Sequence, residues 1–131
     1  MRADFYDTNV ILYLLDDGPK SDVAARLLRT GGIISVQVLN ETLVNCLRKA
    51  HMSWSEAGEF LDGVRQLCLI APLDAGTHDI GRAIGARYLL SVYDAMIIAA
   101  ALQAGCETLY SEDMQHGLKI EGQLRIVNPF R

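Results

Sequence analysis

The sequence predicts an α/β fold, a layered sandwich on a central, mostly parallel sheet of about five strands. Three observations carry this. Short apolar runs alternate with helical stretches along the chain, in the order β-α-α-β-α-α-β-α-α-β-α-β, as parallel strands joined by helical crossovers do. The apolar runs are continuous, which suits strands covered on both faces. The chain has 131 residues, half of them hydrophobic, so it holds a real core and reads as a single domain over 1–131.

The elements follow in order. "ADFYD" is a short strand that hands over to a helical run, "TNVILYLLD", broken by "DDGP". "KSDVAARLLRTGG" is a helix with Val23, Leu27 and Leu28 on one face and two glycines at its end. "IISV" is a β-branched strand. Leu39, Leu43, Cys46, Leu47 and Ala50 then form a helical stripe over Val36 to Ala50. "SWSEAGEFLDGVRQL" opens with Ser53 and Glu56 at capping-box spacing, and Trp54 is expected to pack at that helix start. "CLIAPL" is a strand ended by Pro72. "DAGTHDIGRAIGARYLL" is a helix weakened by Gly81 and Gly85, and "SVYDAMIIAAALQAG" is the most apolar helix. "ETLYS" is a strand, a short helix is expected next, and "LRIVN" is the last strand.

Composition narrows the function classes. No apolar run reaches the ~18 residues of a membrane span, and the beginning of the chain lacks the charged, apolar and cleavage segments of a signal peptide. Cys46, Cys68 and Cys106 are odd in number, widely spaced and without CxxC. That argues against a disulfide framework or thiolate zinc site and fits a reducing cytoplasm, with the thiols buried as small apolar groups. The net charge of −4 is awkward for a nucleic-acid binder, because phosphate neutralisation favours basic proteins.

Four acids stand where strands end and helices begin. Asp7 follows the first strand, Glu41 lies in the second turn after "IISV", Asp94 lies in the first turn of the apolar helix, and Asp113 follows "TLY". In a parallel sheet all four lie near the carboxyl edge, where α/β folds place their sites. Each has an ordinary explanation. Asp7 can cap the helix at Thr8, Asp94 is three residues past Ser91, and Asp113 follows Ser111 at another helix start, where acids also complement the dipole. Glu41 lies away from the Leu39–Leu43–Leu47 stripe, with Asn45 one turn further on its side; its ordinary explanation is a solvated helix face. Capping does not explain four acids on one edge. Like charges repel and raise one another's pKa, so a cation among them is favoured. Oxygen donors without His or Cys suit a hard ion, Mg²⁺ or Mn²⁺.

The blocks "FYDTNVILYLL", "ISVQVLNE", "YDAMIIAAAL", "LYSEDMQHG" and "IVNPF", in this order and spacing, closely resemble the PIN-domain family, in particular bacterial VapC-like toxin ribonucleases. The resemblance implies a three-layer α/β/α sandwich and metal-dependent hydrolysis of RNA by an acid quartet, here Asp7, Glu41, Asp94 and Asp113. Asp7, Asp94 and Asp113 are implied as metal ligands, direct or through water, and Glu41 as a holder or deprotonator of a metal water. Asn9 and Ser111 match the supporting polar positions. An antitoxin partner with a basic segment, a homodimer and no membrane association are also implied. Arg48, Lys49, Arg82 and Arg87 are candidates for a local basic groove, His116 for a substrate contact or a turn, and Tyr88 and Tyr93 for base stacking or packing.

Rival functions are a catalytically silent interaction module of the same fold and an aspartyl-phosphate phosphotransfer protein. The latter fits poorly: a phosphatase of that type needs a second Asp where Asn9 stands, and Lys119 is badly placed for a receiver. A dinucleotide enzyme lacks GxGxxG after the first strand.

Overall fold

Residues 3–131 are described by the computed structural model, and residues 1 and 2 of the expected domain lie outside them. The chain runs β1 (Phe5–Tyr6), α1 (Thr8–Leu12), a 3₁₀ turn (Tyr13–Leu15), α2 (Pro19–Arg29), β2 (Ile33–Ser35), α3 (Val36–Arg48), α4 (Trp54–Leu67), β3 (Leu69–Ala71), α5 (Ala75–Tyr88), α6 (Val92–Gln103), β4 (Thr108–Tyr110), β5 (Lys119–Ile120) and β6 (Leu124–Val127). The six strands form one sheet in the order β3-β2-β1-β4-β6-β5. All neighbours are parallel except β5 and β6. The parallel α/β architecture is therefore as the sequence predicts, with one strand more.

Successive strand residues face opposite layers. Tyr6 faces α2, and its single hydroxyl proton is shared between the Leu27 and Gly31 carbonyls, 3.0 and 2.9 Å away. Phe5 faces the other way, in register with Ile33, and Ile33 shares a cavity wall with Ala100 and Ala104 near the end of α6. Helices thus cover both faces. α6 is the central helix: every residue from Ala95 to Ala101 is buried. α5 shields its far side and comes close because Gly81 has no side chain; a Cβ there would lie 2.7 Å from the Met96 sulfur. The glycine that weakens the helix pattern is what lets α5 dock. Among the described residues no single helix is long and apolar enough to cross a membrane, and the apolar pair α5–α6 bends by 117° at its break.

Several local expectations change in the tertiary context. On α3 the fully buried face is Val38, Thr42 and Cys46, with Leu39 only half-buried beside it. Trp54 is 72% exposed at the start of α4 rather than packed, although the Ser53–Glu56 capping box forms in full. No helix follows β4. Ser111 Oγ instead accepts from the Met114 amide in a tight turn, and the Gly117 amide donates to the Ile126 carbonyl at 2.8 Å. A helix that short is costly to nucleate, and the backbone bond to β6 holds the segment instead. The segment continues into β5, which pairs with β6 through a turn whose central residues, Glu121 and Gly122, both have positive φ (53° and 65°), as a type I′ hairpin turn requires. The three thiols are buried, and burial pushes Cys68 and Cys106 up to about 11, which suits packing rather than chemistry.

Tyr6 joins β1 to the end of α2 through one hydroxyl proton shared between two carbonyls at a fully buried site. Tyr6→Phe keeps the ring and removes this bond. The expected loss is about 1–2 kcal/mol, seen as a lower urea midpoint at unchanged m. A midpoint equal to wild type would show that the hydroxyl adds nothing net.

Candidate active site

The strand order runs outward from β1 in both directions, to β2 and β3 on one side and to β4 and β6 on the other. The carboxyl ends of β1 and β4 therefore form the switch point at which α/β sheets open a crevice. Asp7 leaves β1 there, with its amide donating to the Tyr110 carbonyl at 2.9 Å. Ser111 leaves β4 beside it. The two residues are 104 positions apart in sequence, and their side chains meet at 2.7 Å, Ser111 Oγ donating to Asp7 Oδ2.

Asp7 is the N-cap of α1 and is only 4% exposed. Its Oδ1 accepts from the Thr8 amide at 2.7 Å, and its Oδ2 also accepts from Asn9 Nδ2 at 3.2 Å. The same Asn9 amide lies 3.2 Å from Asp113 Oδ2, while Asn9 Oδ1 accepts from the Glu112 backbone at 3.1 Å. Asn9 is thus a strut between Asp7 and the exposed Asp113. Glu41 comes in on α3, which packs against α1. Thr8 Oγ1 donates to its Oε1 at 3.0 Å, and Gln37 Nε2 to its Oε2 at 2.7 Å. Asp94 is half-buried in the first turn of α6. Its backbone amide donates to Ser91 at 3.3 Å, but the reciprocal bond of a capping box, present at Ser53–Glu56, is not formed.

Electrostatics link all four acids. Burial pushes the Asp7 carboxyl up from 3.8 to about 6; Ser111 and Thr8 pull it partly back, and the Asp94 and Glu41 charges push it up again. Asp94 is also raised, first by burial, with Ser91 opposing and Glu41 and Asp113 adding repulsion. Mutual repulsion is the effect expected from sequence, yet burial is the larger cause. None of the four acids forms an ion pair with Lys, Arg or His among the described residues.

Within those residues no three His, Cys, Asp or Glu side chains gather tightly enough to form a closed metal cage. The acids lie within Coulombic reach of one another, in a looser ring. That donor set still fits one kind of ion. All donors are hard oxygens, and Mg²⁺ keeps several of its own waters while using only one or two carboxylates. A soft or cage-demanding metal has no ligands here.

Residues that the sequence reading passed over hold the site in shape. Gln37 stands four before Glu41, the i, i+4 spacing that marks a partner, and Thr8 adjoins Asp7. Glu112 forms a second brace: it accepts from Tyr13 at 2.5 Å and from Lys20 at 2.6 Å, with Phe130 edge-on against Tyr13. Three other candidates are engaged by partners of their own. His116 Nδ1 accepts from the Asn128 amide at 2.9 Å and ties the loop after β4 to the end of β6. The Tyr88 hydroxyl accepts from the Glu121 amide, and Arg87 pairs with Glu121. Lys119 lies on β5, three strands from Asp7 in sheet order, too far across for a receiver-like role.

The raised Asp7 pKa fixes the sign of a pH effect. The folded carboxyl releases its proton near pH 6 and the unfolded one near 3.8. Stability from this group is therefore full below about pH 4 and is lost as pH rises through 6. The loss is on the order of 3 kcal/mol, and Asp94 acts in the same direction. Glu56, Asp74 and Glu112 are shifted downward and act oppositely, but they lie at the surface and are screened. In chelator, urea titrations should show wild type losing more stability than Asp7→Asn between pH 4 and 7. Parallel pH profiles for the two proteins would refute the assignment.

Comparison with known proteins bears on the fold. No curated protein sequence matches the chain. Among solved structures, a toxin–antitoxin complex from Klebsiella pneumoniae is similar over 98% of each chain at TM-score 0.76 and 19% identity. A DNA-bound VapBC from Salmonella typhimurium is similar at TM-score 0.71 and 20% identity, over 96% of this chain and 97% of that one. VapC20 of Mycobacterium tuberculosis, described as a sarcin–ricin-loop-cleaving toxin, is similar at TM-score 0.69 and 20% identity, over 85% and 90%. At these identities the likeness is one of fold. The PIN domain family model matches residues 5–117, most of the chain and every acid of the crevice, and the chain belongs to the PIN domain family.

Proposed function

We propose that this protein is a Mg²⁺- or Mn²⁺-dependent endoribonuclease, the toxin of a toxin–antitoxin pair, acting in the cytoplasm as a homodimer. The observation that carries the reading is the convergence of Asp7, Glu41, Asp94 and Asp113 on the β1–β4 switch point, charged against one another and without a cationic partner among the described residues. The toxin and antitoxin descriptions of the structural neighbours support it.

Each residue has a distinct task. Asp7, Asp94 and Asp113 would hold the ion, directly or through its waters. A bound divalent ion lowers the pKa of water and offsets charge on the phosphoryl oxygens. Glu41, fixed by Thr8 and Gln37, orients the attacking water and takes its proton. Asn9 and Ser111 keep Asp7 and Asp113 aligned. An antitoxin of complementary chemistry carries a basic segment into the crevice, where an Arg fork between carboxylates competes with the ion.

The test is incubation of the purified protein with cellular RNA, with Mg²⁺ or in chelator, followed by sequencing of the new ends. Cleavage should require the ion. Robust cleavage by metal-stripped protein in chelator overturns the reading. Expression without a partner should slow bacterial growth; normal growth with intact RNA would remove the toxin role.

Asp94→Asn separates catalysis from capping. Asn serves a helix N-terminus about as well as Asp, apart from a dipole effect of roughly 0.3–1 kcal/mol. The variant should fold, lose more than about 10²-fold in cleavage, and lose most of the Mg²⁺-induced rise in Tm at pH 8. Near wild-type cleavage would return Asp94 to a structural role.

A further inference from the structure

We propose that the groove between α3 and the start of α6 binds one unpaired RNA nucleotide next to the bond being cut, with its base on the Tyr93 ring and its phosphate on Arg48. The proposal rests on the nuclease reading above and names the substrate feature that the same crevice selects. The groove encloses about 520 Å³ and is lined by Gln37, Asn40, Glu41, Val44, Asn45, Arg48 and Tyr93. That volume falls within the ~300–1,000 Å³ of small-ligand sites.

Position links the groove to the acids. Glu41 belongs to both, and Tyr93 is the residue before Asp94. Gln37, Glu41, Val44 and Arg48 follow one another along a single face of α3. Arg48 stands about 10 Å along the helix from Glu41, a span a strand crosses within a nucleotide or two. A strand cut at the acids has room to lay the neighbouring nucleotide along this face.

Availability points the same way. Tyr93 is 65% exposed. Among the described residues its ring has no ring partner and its hydroxyl no hydrogen bond, and the Arg48 and Asn40 side chains are equally without hydrogen bonds or ion pairs. Two other basic groups are occupied, Lys20 by Glu112 and Arg87 by Glu121, and of the basic side chains only Arg48 lines this groove. Gln37 and Asn45 are aimed by their bonds to Glu41, so Asn45 Oδ1 and the Asn40 amide remain for a base edge. An aromatic face, amides and one guanidinium form the recognition set of a single-stranded nucleotide. The same set answers the acidic net charge, because the cation is needed locally.

The experiment uses the full chain with Mg²⁺ and a single-stranded RNA of random sequence, a dozen nucleotides long. KM and kcat are measured and the cut ends sequenced. Tyr93→Leu should raise KM about tenfold and flatten the base preference at one position beside the cut. Tyr93→Phe should restore both, since the ring acts. Arg48→Gln should raise KM and reduce the salt dependence of binding by about one phosphate contact, and it keeps the test open if Tyr93→Leu folds poorly. Wild-type KM and end profile in Tyr93→Leu and Arg48→Gln overturn the proposal. So does unchanged RNA cleavage with an altered molecular mass in light scattering, which assigns the groove to a protein contact. Wild type that cuts no RNA with Mg²⁺ removes the nuclease reading, and the inference with it.

Discussion

Parallel pairing of β1 with β4 is the constraint on which the crevice depends. Phe5 aligns with Leu109 and Tyr6 with Tyr110, so the chain closes a loop of about a hundred residues before any of these contacts exist. Loop closure of that length carries an entropic cost that grows slowly with length. It is offset by the buried core around it: Phe5, Leu109, Ile97, Ile98 and Ile126 are all fully buried. Once the two strands pair, Asp7 and Ser111 are adjacent by geometry, and the crevice exists because the strand order reverses there.

The second problem is electrostatic. Four acids sit near one another with little water around Asp7. Arginine or lysine partners would neutralise them and close the site to a metal. Neutral donors are used instead: the Thr8 amide and hydroxyl, the Ser111 hydroxyl, and the amides of Asn9 and Gln37. Such donors stabilise the charged form without cancelling its charge. Asp7 still carries a net penalty, because the donors only partly offset its burial.

Farther out, stiffness comes from Glu112, which ties the loop carrying Asp113 to Tyr13 and Lys20. As a surface ion pair Lys20–Glu112 contributes little to stability by itself. Its value is positional, since the Glu112 amide also donates to Asn9 and so couples the end of β4 to α1. Phe130 against Tyr13 and Lys20 brings the chain's last residues into the same brace.

Much of this was legible in the sequence. The alternation of short apolar runs with helical periods determined a parallel α/β sheet, because strands covered on both faces carry no polar alternation. Strand ends marked Asp7 and Asp113, and the helix after β2 marked Glu41, because parallel strands deliver their carboxyl ends to one edge; Asp94 was marked only by its place in the first turn of α6, which follows another helix. Local signals failed where long-range bonds outweigh them. The segment after β4 reads as helix but becomes a turn and an antiparallel strand, since β6 supplies the backbone partners and Glu121–Gly122 the hairpin; the Glu-Gly pair before "LRIV" was the available signal. Trp54 reads as packed and lies exposed, because a helix start says nothing about what faces it. The Leu39 stripe yields to Val38, Thr42 and Cys46, since the neighbouring elements, not periodicity, choose which side of a helix is covered. Gln37, Thr8 and Glu112 gained their roles only when α3, α1 and the β4 loop met, and no spacing in the chain states the strand order that makes them meet.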